Sequence, residues 1–133
     1  MNSIKHFITA SSDIIKKRAN FLIEKGFVLQ NEDEFIIHYS SNLCLVEIVF
    51  ERFDDISDIN IRFLEKNKSY SISWILRVFE EVNYNDYMIN KKDKLINVLG
   101  LLNFIEDYFE NVTDIVFCES MMGKVEDFPK KRI

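Results

Sequence analysis

The stretch EFIIHYSSNLCLVEIVFERFDDISDINIRFLE, residues 34–65, decides the fold of this chain. Apolar residues alternate with other residues in three successive segments, and a period of two is typical of β-strands with one buried face. In each segment the apolar residues occupy every second position, so they share one face of the predicted strand. These residues are Phe35, Ile37, Tyr39, Cys44, Val46, Ile48, Phe50, Ile59, Ile61 and Phe63. We expect these side chains to form the core face of an antiparallel sheet.

The turns between these segments predict the register of the strands. If residues 41–42 are the central pair of a tight hairpin turn, Phe35 lies opposite Ile48. If residues 54–55 make the next turn, Ile61 lies opposite Ile48 from the other side. A four-residue loop in place of the second turn would shift the partners by two residues and leave every side chain on its face.

The opposite face of the predicted sheet is mixed in character. It carries Ile36, His38, Leu45, Glu47, Val49, Glu51, Asn60, Arg62 and Leu64. With the tighter second turn, Glu47 sits across from Arg62 as a cross-strand charge pair. Two interpretations stay open: a half-exposed face partly covered by a helix or tail, or a partner-binding face centred on His38, Glu47 and Arg62.

The same register brings acidic residues to one end of the sheet. The predicted acidic patch consists of Glu32, Asp33, Glu34, Glu51, Asp54, Asp55 and Asp58. The chain has a net charge of −5, but residues 26–61 alone carry −7 and the remainder +2. Nucleic acid is an improbable ligand for such a region, whereas a basic protein partner fits it. The alternative is an acidic rim that serves solubility only.

The residues before the sheet predict a helix followed by a short strand. Apolar positions fit one helix over 4–25 that Gly26 ends, or two shorter helices with a break near 11–13. Residues 27–30 are expected to add a strand, which makes a four-stranded meander.

The residues after the sheet predict two helices. We expect a loop at 67–69, then a helix over 71–82 with Ser71 as its N-cap. A longer helix follows Asn90, and its apolar surface is so broad that it packs on more than one side or meets another chain. Gly100 within it indicates either the close approach of another element or a tolerated glycine.

The C-terminal part is less regular in its pattern. Residues 114–118 could form a fifth strand or continue a helix, and residues 123–133 are expected to form a loosely ordered tail. The predicted fold class is therefore α+β, as a single domain of 133 residues with the helices on one face of the sheet.

No motif in the chain indicates catalysis, a metal or a cofactor. The two histidines, His6 and His38, lack the spacing of zinc ligands, and no phosphate-binding or nucleophile motif is present. The two cysteines, Cys44 and Cys118, are far apart in the chain, which is typical of a reduced cytosolic protein. We therefore expect a cytoplasmic protein that is not an enzyme, holds no cofactor and has no association with membranes or nucleic acid.

The order of elements resembles that of small bacterial immunity proteins encoded beside polymorphic toxins. The resemblance covers residues 26–109, with SISWIL at 71–76 opening the first helix after the sheet. It implies a cytoplasmic protein that neutralises one toxin, often a basic nuclease, by binding it.

Two other functions stay open. One is a small-molecule-binding or enzymatic domain with a pocket between the sheet and the helix at 71–82, where His38, Glu47, Arg62 and Tyr84 would supply polar groups. The other is a structural homodimer that uses the broad apolar surface of the last helix.

Overall fold

The protein is an α+β domain built on one antiparallel sheet. The structure, a computed structural model, describes residues 12–33, 36–50, 57–89 and 93–131. Its helices are α1 (12–18), α2 (Asn20–Glu24), α3 (Ile72–Val78), α4 (Tyr84–Tyr87), α5 (Lys94–Asp107), α6 (Phe109–Val112) and α7 (Ile115–Lys131). Its strands are β1 (Val28–Glu32), β2 (Ile36–Ser40), β3 (Cys44–Phe50), β4 (Ser57–Phe63) and β5 (Lys68–Ser71), in that spatial order. The predicted fold class is confirmed.

The predicted core face is also confirmed. The described apolar residues of the predicted core face are almost completely buried: Ile37, Tyr39, Cys44, Val46, Ile48, Ile59, Ile61 and Phe63. Helices α3 and α5 supply the other half of this core through side chains such as Leu76 and Phe104, both fully buried. Phe35 and the side chain of Phe50 lie outside the described residues.

The predicted register is wrong by two residues at both turns. Ile48 pairs with Ile37 on one side and with Ile59 on the other. The first hairpin closes one position later than expected because the Ser41 hydroxyl accepts hydrogen bonds from the backbone N–H groups of Leu43 and Cys44, at 3.1 and 3.2 Å. A shift of two preserves the pleat, so every side chain keeps its predicted face.

The fifth strand lies where a loop was expected. Lys68–Ser71 pairs with β4 as an edge strand and contributes only Tyr70 to the core. Of residues 114–118, considered as an extra strand or a helical continuation, all but the first belong to α7, whose buried Cys118 and Met121 follow helical spacing. The residues expected to form a loosely ordered tail are helical as far as Lys131.

The helices after the sheet follow the prediction in type and differ in extent. Ser71 is the N-cap of α3, and its hydroxyl accepts a hydrogen bond from Trp74 N–H. The helix ends at Val78 and not near residue 82. Asp93 caps α5 through a hydrogen bond from Ile96 N–H, while Asn90 lies outside the described residues.

The broad apolar surface of α5 packs within the chain. Both of its flanks contribute fully buried side chains, among them Val98, Leu101 and Ile105. Of the two alternatives for Gly100, the structure shows the close approach, because a Cβ atom there would lie 2.0 Å from the carbonyl oxygen of Tyr87. Most of the apolar surface on which the homodimer alternative depended is therefore packed within the chain, while the side chain of Ile96 is 37% exposed.

The N-terminal helical segment is interrupted at Ala19, between α1 and α2. Gly26 ends it as predicted, with a φ of +96°. Gly26 N–H donates to the carbonyl of Ile23 at 3.1 Å, and Phe27 N–H donates to that of Leu22 at 2.9 Å. This pair of bonds is the Schellman arrangement, which needs a left-handed residue at the position of Gly26.

The substitution Gly26→Ala should lower the free energy of unfolding by about 1 kcal/mol, because a Cβ atom is disfavoured at positive φ. No atom lies within 4 Å of the new Cβ, so the cost is conformational only. Urea denaturation measures it. Gly26→Asn should lose less, since asparagine tolerates this conformation better than alanine; equal stability of wild type and Gly26→Ala would contradict the prediction.

Candidate functional site

A row of polar side chains crosses the outer face of the sheet, the face opposite the core. Each of the strands β2 to β5 contributes one member: His38, Glu47, Arg62 and Ser69. His38 Nε2 lies 3.1 Å from Glu47 Oε2, and Arg62 Nε lies 3.9 Å from Glu47 Oε1. Arg62 Nε also donates to the Ser69 hydroxyl at 3.2 Å. The row is therefore joined from one side chain to the next.

The predicted pair of Glu47 and Arg62 forms in a different geometry. Asn60 stands directly opposite Glu47, and Arg62 reaches it diagonally. Glu47 thereby has a partner on each carboxylate oxygen, one of them His38. Ser69 was missed as a member of this row because it becomes a neighbour of Arg62 only through the unpredicted strand β5.

Apolar side chains flank the polar row. Ile36, Leu45 and Val49 are half-buried, and Leu64 in the turn after β4 is 52% exposed. The described side chains on the core face of the same strands are almost completely buried. The outer face therefore combines a fixed polar centre with apolar surroundings that keep partial access to solvent, a composition that suits contact with a partner.

The structure describes three of the seven residues of the predicted acidic patch. Glu32, Asp33 and Asp58 lie at one end of the sheet, where β1 turns into β2 and where β4 begins. Glu34, Glu51, Asp54 and Asp55 lie outside the described residues. The sequence-based placement of the described members at one end agrees with the register.

Glu32 is tied to helix α1. It accepts hydrogen bonds from the Ser12 hydroxyl and from Lys16 Nζ, the latter at 3.1 Å. The Ser12 hydrogen bond, aided by Lys16, lowers the pKa of Glu32 against the opposing effect of burial. A lowered folded-state pKa means that this contact stabilises the fold above the carboxyl group's unfolded pKa and is lost as pH falls through the folded value.

Asp58 connects strand β4 to the first turn of α3 through hydrogen bonds. Its carboxylate accepts hydrogen bonds from the Ser71 hydroxyl, from Ser73 N–H at 3.1 Å and from the Ser73 hydroxyl at 3.0 Å. Asp33 has a local role, since its Oδ1 accepts a hydrogen bond from Ile36 N–H at 3.0 Å across the turn. Of the three described members, Glu32 and Asp58 thus contribute to the fold, and Asp33 shapes a turn.

The polar groups considered for a small-molecule pocket do not converge. His38, Glu47 and Arg62 lie on the outer face, whereas Tyr84 lies in α4 and packs against the core on the helix side. The Tyr84 hydroxyl accepts a hydrogen bond from Arg77 at 3.1 Å. The inner side chains of α3, Ile72, Ile75 and Leu76, are fully buried, so the described residues between this helix and the sheet are packed as core.

Neither cysteine has the character of a reactive thiol. Cys44 and Cys118 are both free and buried. Burial raises the pKa of Cys44 to about 11 and that of Cys118 to about 12, so both thiols stay protonated at neutral pH. Within the described ranges, no group of three or more histidine, cysteine or acidic side chains is arranged to hold a metal ion.

The fold defines the class of this protein as an α+β domain with a five-stranded antiparallel meander. A comparison with protein-family models, curated proteins and solved structures found no match to the chain. No helix in the described part of the chain has the length and apolar character needed to span a membrane.

Proposed function

We propose that this protein is a cytoplasmic, non-enzymatic binding protein that docks a basic protein partner, in the manner of immunity proteins that neutralise toxins. The outer sheet face would supply the contact surface, and the acidic end of the sheet would attract the partner. The observation that carries the proposal is the joined row of His38, Glu47, Arg62 and Ser69 among apolar side chains.

The row favours binding because its side chains are already held in place. Ordering flexible side chains is one of the costs of association, and the contacts of Glu47 with His38 and Arg62 reduce that cost in advance. The half-buried Leu45 and Val49 beside the row offer apolar area whose burial would favour the complex. A mixture of polar and apolar side chains is usual for protein interfaces.

The acidic end favours encounter with a basic partner. Residues 26–61 carry a net charge of −7 within a chain of net −5, so the negative potential is concentrated on the sheet. Such a field raises the association rate of a cationic protein and does so most strongly at low ionic strength. Charge at this end should therefore affect the association rate more than the dissociation rate.

The double substitution Asp54→Lys and Asp55→Lys should slow association with the basic partner about tenfold at low salt, and less at physiological salt. Asp58 is left unchanged because its carboxylate holds α3. The partner is sought by co-expression with the products of the genes adjacent to this one. Surface plasmon resonance at two salt concentrations then measures the rates.

The matched control is Glu80→Lys with Glu81→Lys, two exposed neighbouring carboxylates in the turn after α3. This variant has the same net charge as the first, so it separates the local patch from total charge. Its association rate should fall much less. Equal rates for wild type and the Asp54/Asp55 variant at low salt would refute the proposal, as would an equal decrease in both variants.

A further inference from the structure

A concave surface lies at the end of the sheet away from the acidic patch. It is a cleft of about 340 Å³ between the turn after α2, the β2–β3 hairpin and the connection of α6 to α7. Lys25, Phe27, Asn42, Leu43, Phe109 and Thr113 are among the residues that line it. It shares no residue with the polar row or the acidic patch.

The floor of the cleft is aromatic. Phe27 and Phe109 meet edge to face, with ring centroids 6.1 Å apart and an interplanar angle of 83°. The side chain of Leu43, at the tip of the hairpin, is 51% exposed and forms part of one wall. Phe27 is almost completely buried, so an apolar body of modest size would contact mainly Phe109 and Leu43.

The charge of the cleft is positive. Lys25 Nζ lies 5.1 Å from the centroid of the Phe109 ring, and no carboxylate in the described part of the chain forms an ion pair with it. The lining residues that the structure describes include no acidic side chain. A lysine above an aromatic floor without an ion-pair partner favours an anion as the ligand.

The hydroxyl groups of the cleft are already engaged in its own structure. The Ser41 hydroxyl donates to the carbonyl of Cys44 at 3.3 Å, and the Thr113 hydroxyl donates to that of Phe109 at 2.7 Å. Among the described side chains that line the cleft, the Lys25 ammonium and the Asn42 amide are the polar groups that remain for a ligand. One cation and one neutral amide match a single carboxylate better than a dianion such as phosphate.

We infer that the cleft binds a small organic carboxylate with an apolar body, the carboxylate at Lys25 and Asn42 and the body against Phe109 and Leu43. Its volume is near the lower limit for small-molecule sites, which restricts the body to about one ring with a short chain. The inference does not depend on the proposed protein partner, because the cleft shares no residue with the polar row or the acidic patch.

Three probes of similar shape and different charge test the inference: phenylacetate, 2-phenylethanol and phenethylammonium. In NMR titrations, phenylacetate should shift the amide signals of Gly26, Asn42 and Leu43 in a saturable way. The neutral alcohol should bind about fivefold more weakly and the ammonium more weakly still, since only the anion gains from Lys25. Equal affinity for the three probes, or no saturable shift with phenylacetate, would overturn the inference.

The variant Lys25→Met keeps an aliphatic chain over Phe109 and removes the charge. It should bind phenylacetate and the alcohol equally. Lys17→Met, which removes an exposed lysine from α1, should retain the preference of the wild type for the anion. A preference for the anion that survives in Lys25→Met would show that Lys25 does not hold the carboxylate and would also overturn the inference.

Discussion

Gly100→Ala should be the most destabilising of the substitutions considered, with a loss of about 3 kcal/mol and a melting temperature lower by about 10 °C. The added Cβ atom would lie 2.0 Å from the carbonyl oxygen of Tyr87 and 3.0 Å from its carbonyl carbon. Alanine usually stabilises a helix interior relative to glycine. The expected sign is reversed here because the clash involves backbone atoms.

The clash at Gly100 cannot be relieved by a change of rotamer. Tyr87 lies in α4, its hydroxyl donates to Asp107 on α5 at 2.7 Å, and its ring contacts Phe104 at a centroid distance of 5.4 Å. Met88, the next residue, is itself buried. Relief would thus require α4 to move away from α5 and would break these contacts.

The control for this prediction is Gly123→Ala. Gly123 is exposed in α7, and a Cβ atom there would meet no atom within 4 Å. This substitution should stabilise the protein by up to about 1 kcal/mol through helix propensity alone. Thermal and urea unfolding of both variants measure the difference. A Gly100→Ala variant as stable as Gly123→Ala would show that α4 does not approach α5 as closely as the structure has it.

Asp58→Ala should give the second largest effect, a loss of about 2–3 kcal/mol in the free energy of unfolding. The carboxylate accepts three hydrogen bonds from Ser71 and Ser73 at the start of α3, and all of them would lose their acceptor. Asp58→Asn keeps one carbonyl oxygen as acceptor and should lose less. Chemical denaturation with circular dichroism measures both.

Asp93→Ala provides the comparison for Asp58. Asp93 is an N-cap with a hydrogen bond from Ile96 N–H, and its loss should cost about 1 kcal/mol, as is usual for such caps. If the two alanine variants were equally stable, Asp58 would be an ordinary cap and not the link between β4 and α3. The result also bears on the acidic patch, because a residue that holds the fold cannot report on partner binding alone.

The sequence predicted the faces of the sheet more reliably than its register. Alternation is a local property, so Val46 and Ile59 could be assigned to the core without knowing their neighbours. The register depended on where each turn closes, and the Ser41 hydroxyl moved the first turn by one position. A separate shift at the second turn, between β3 and β4, placed Asn60 and not Arg62 opposite Glu47.

The loop expected at 67–69 was wrong, and residues 114–118 were left open between strand and helix, because both segments have weak or ambiguous local patterns. Lys68–Ser71 has a single core side chain and is a strand because its backbone pairs with β4. Residues 114–118 are apolar enough for a strand, but the buried positions that follow in α7 recur at helical spacing. Packing against α3 selects the helix, and this contact is between residues far apart in the chain.

The sequence by itself determined the α+β class, the core face of the sheet, the N-cap at Ser71 and the concentration of negative charge on residues 26–61, since each depends on residue type and short-range periodicity. Only the tertiary structure decided which groups meet. It joined His38, Glu47, Arg62 and Ser69 into one row and assigned Asp58 to the start of α3. It also placed Lys25 above Phe109. Such contacts join residues from separate elements, and the packing of those elements is not encoded in any single segment.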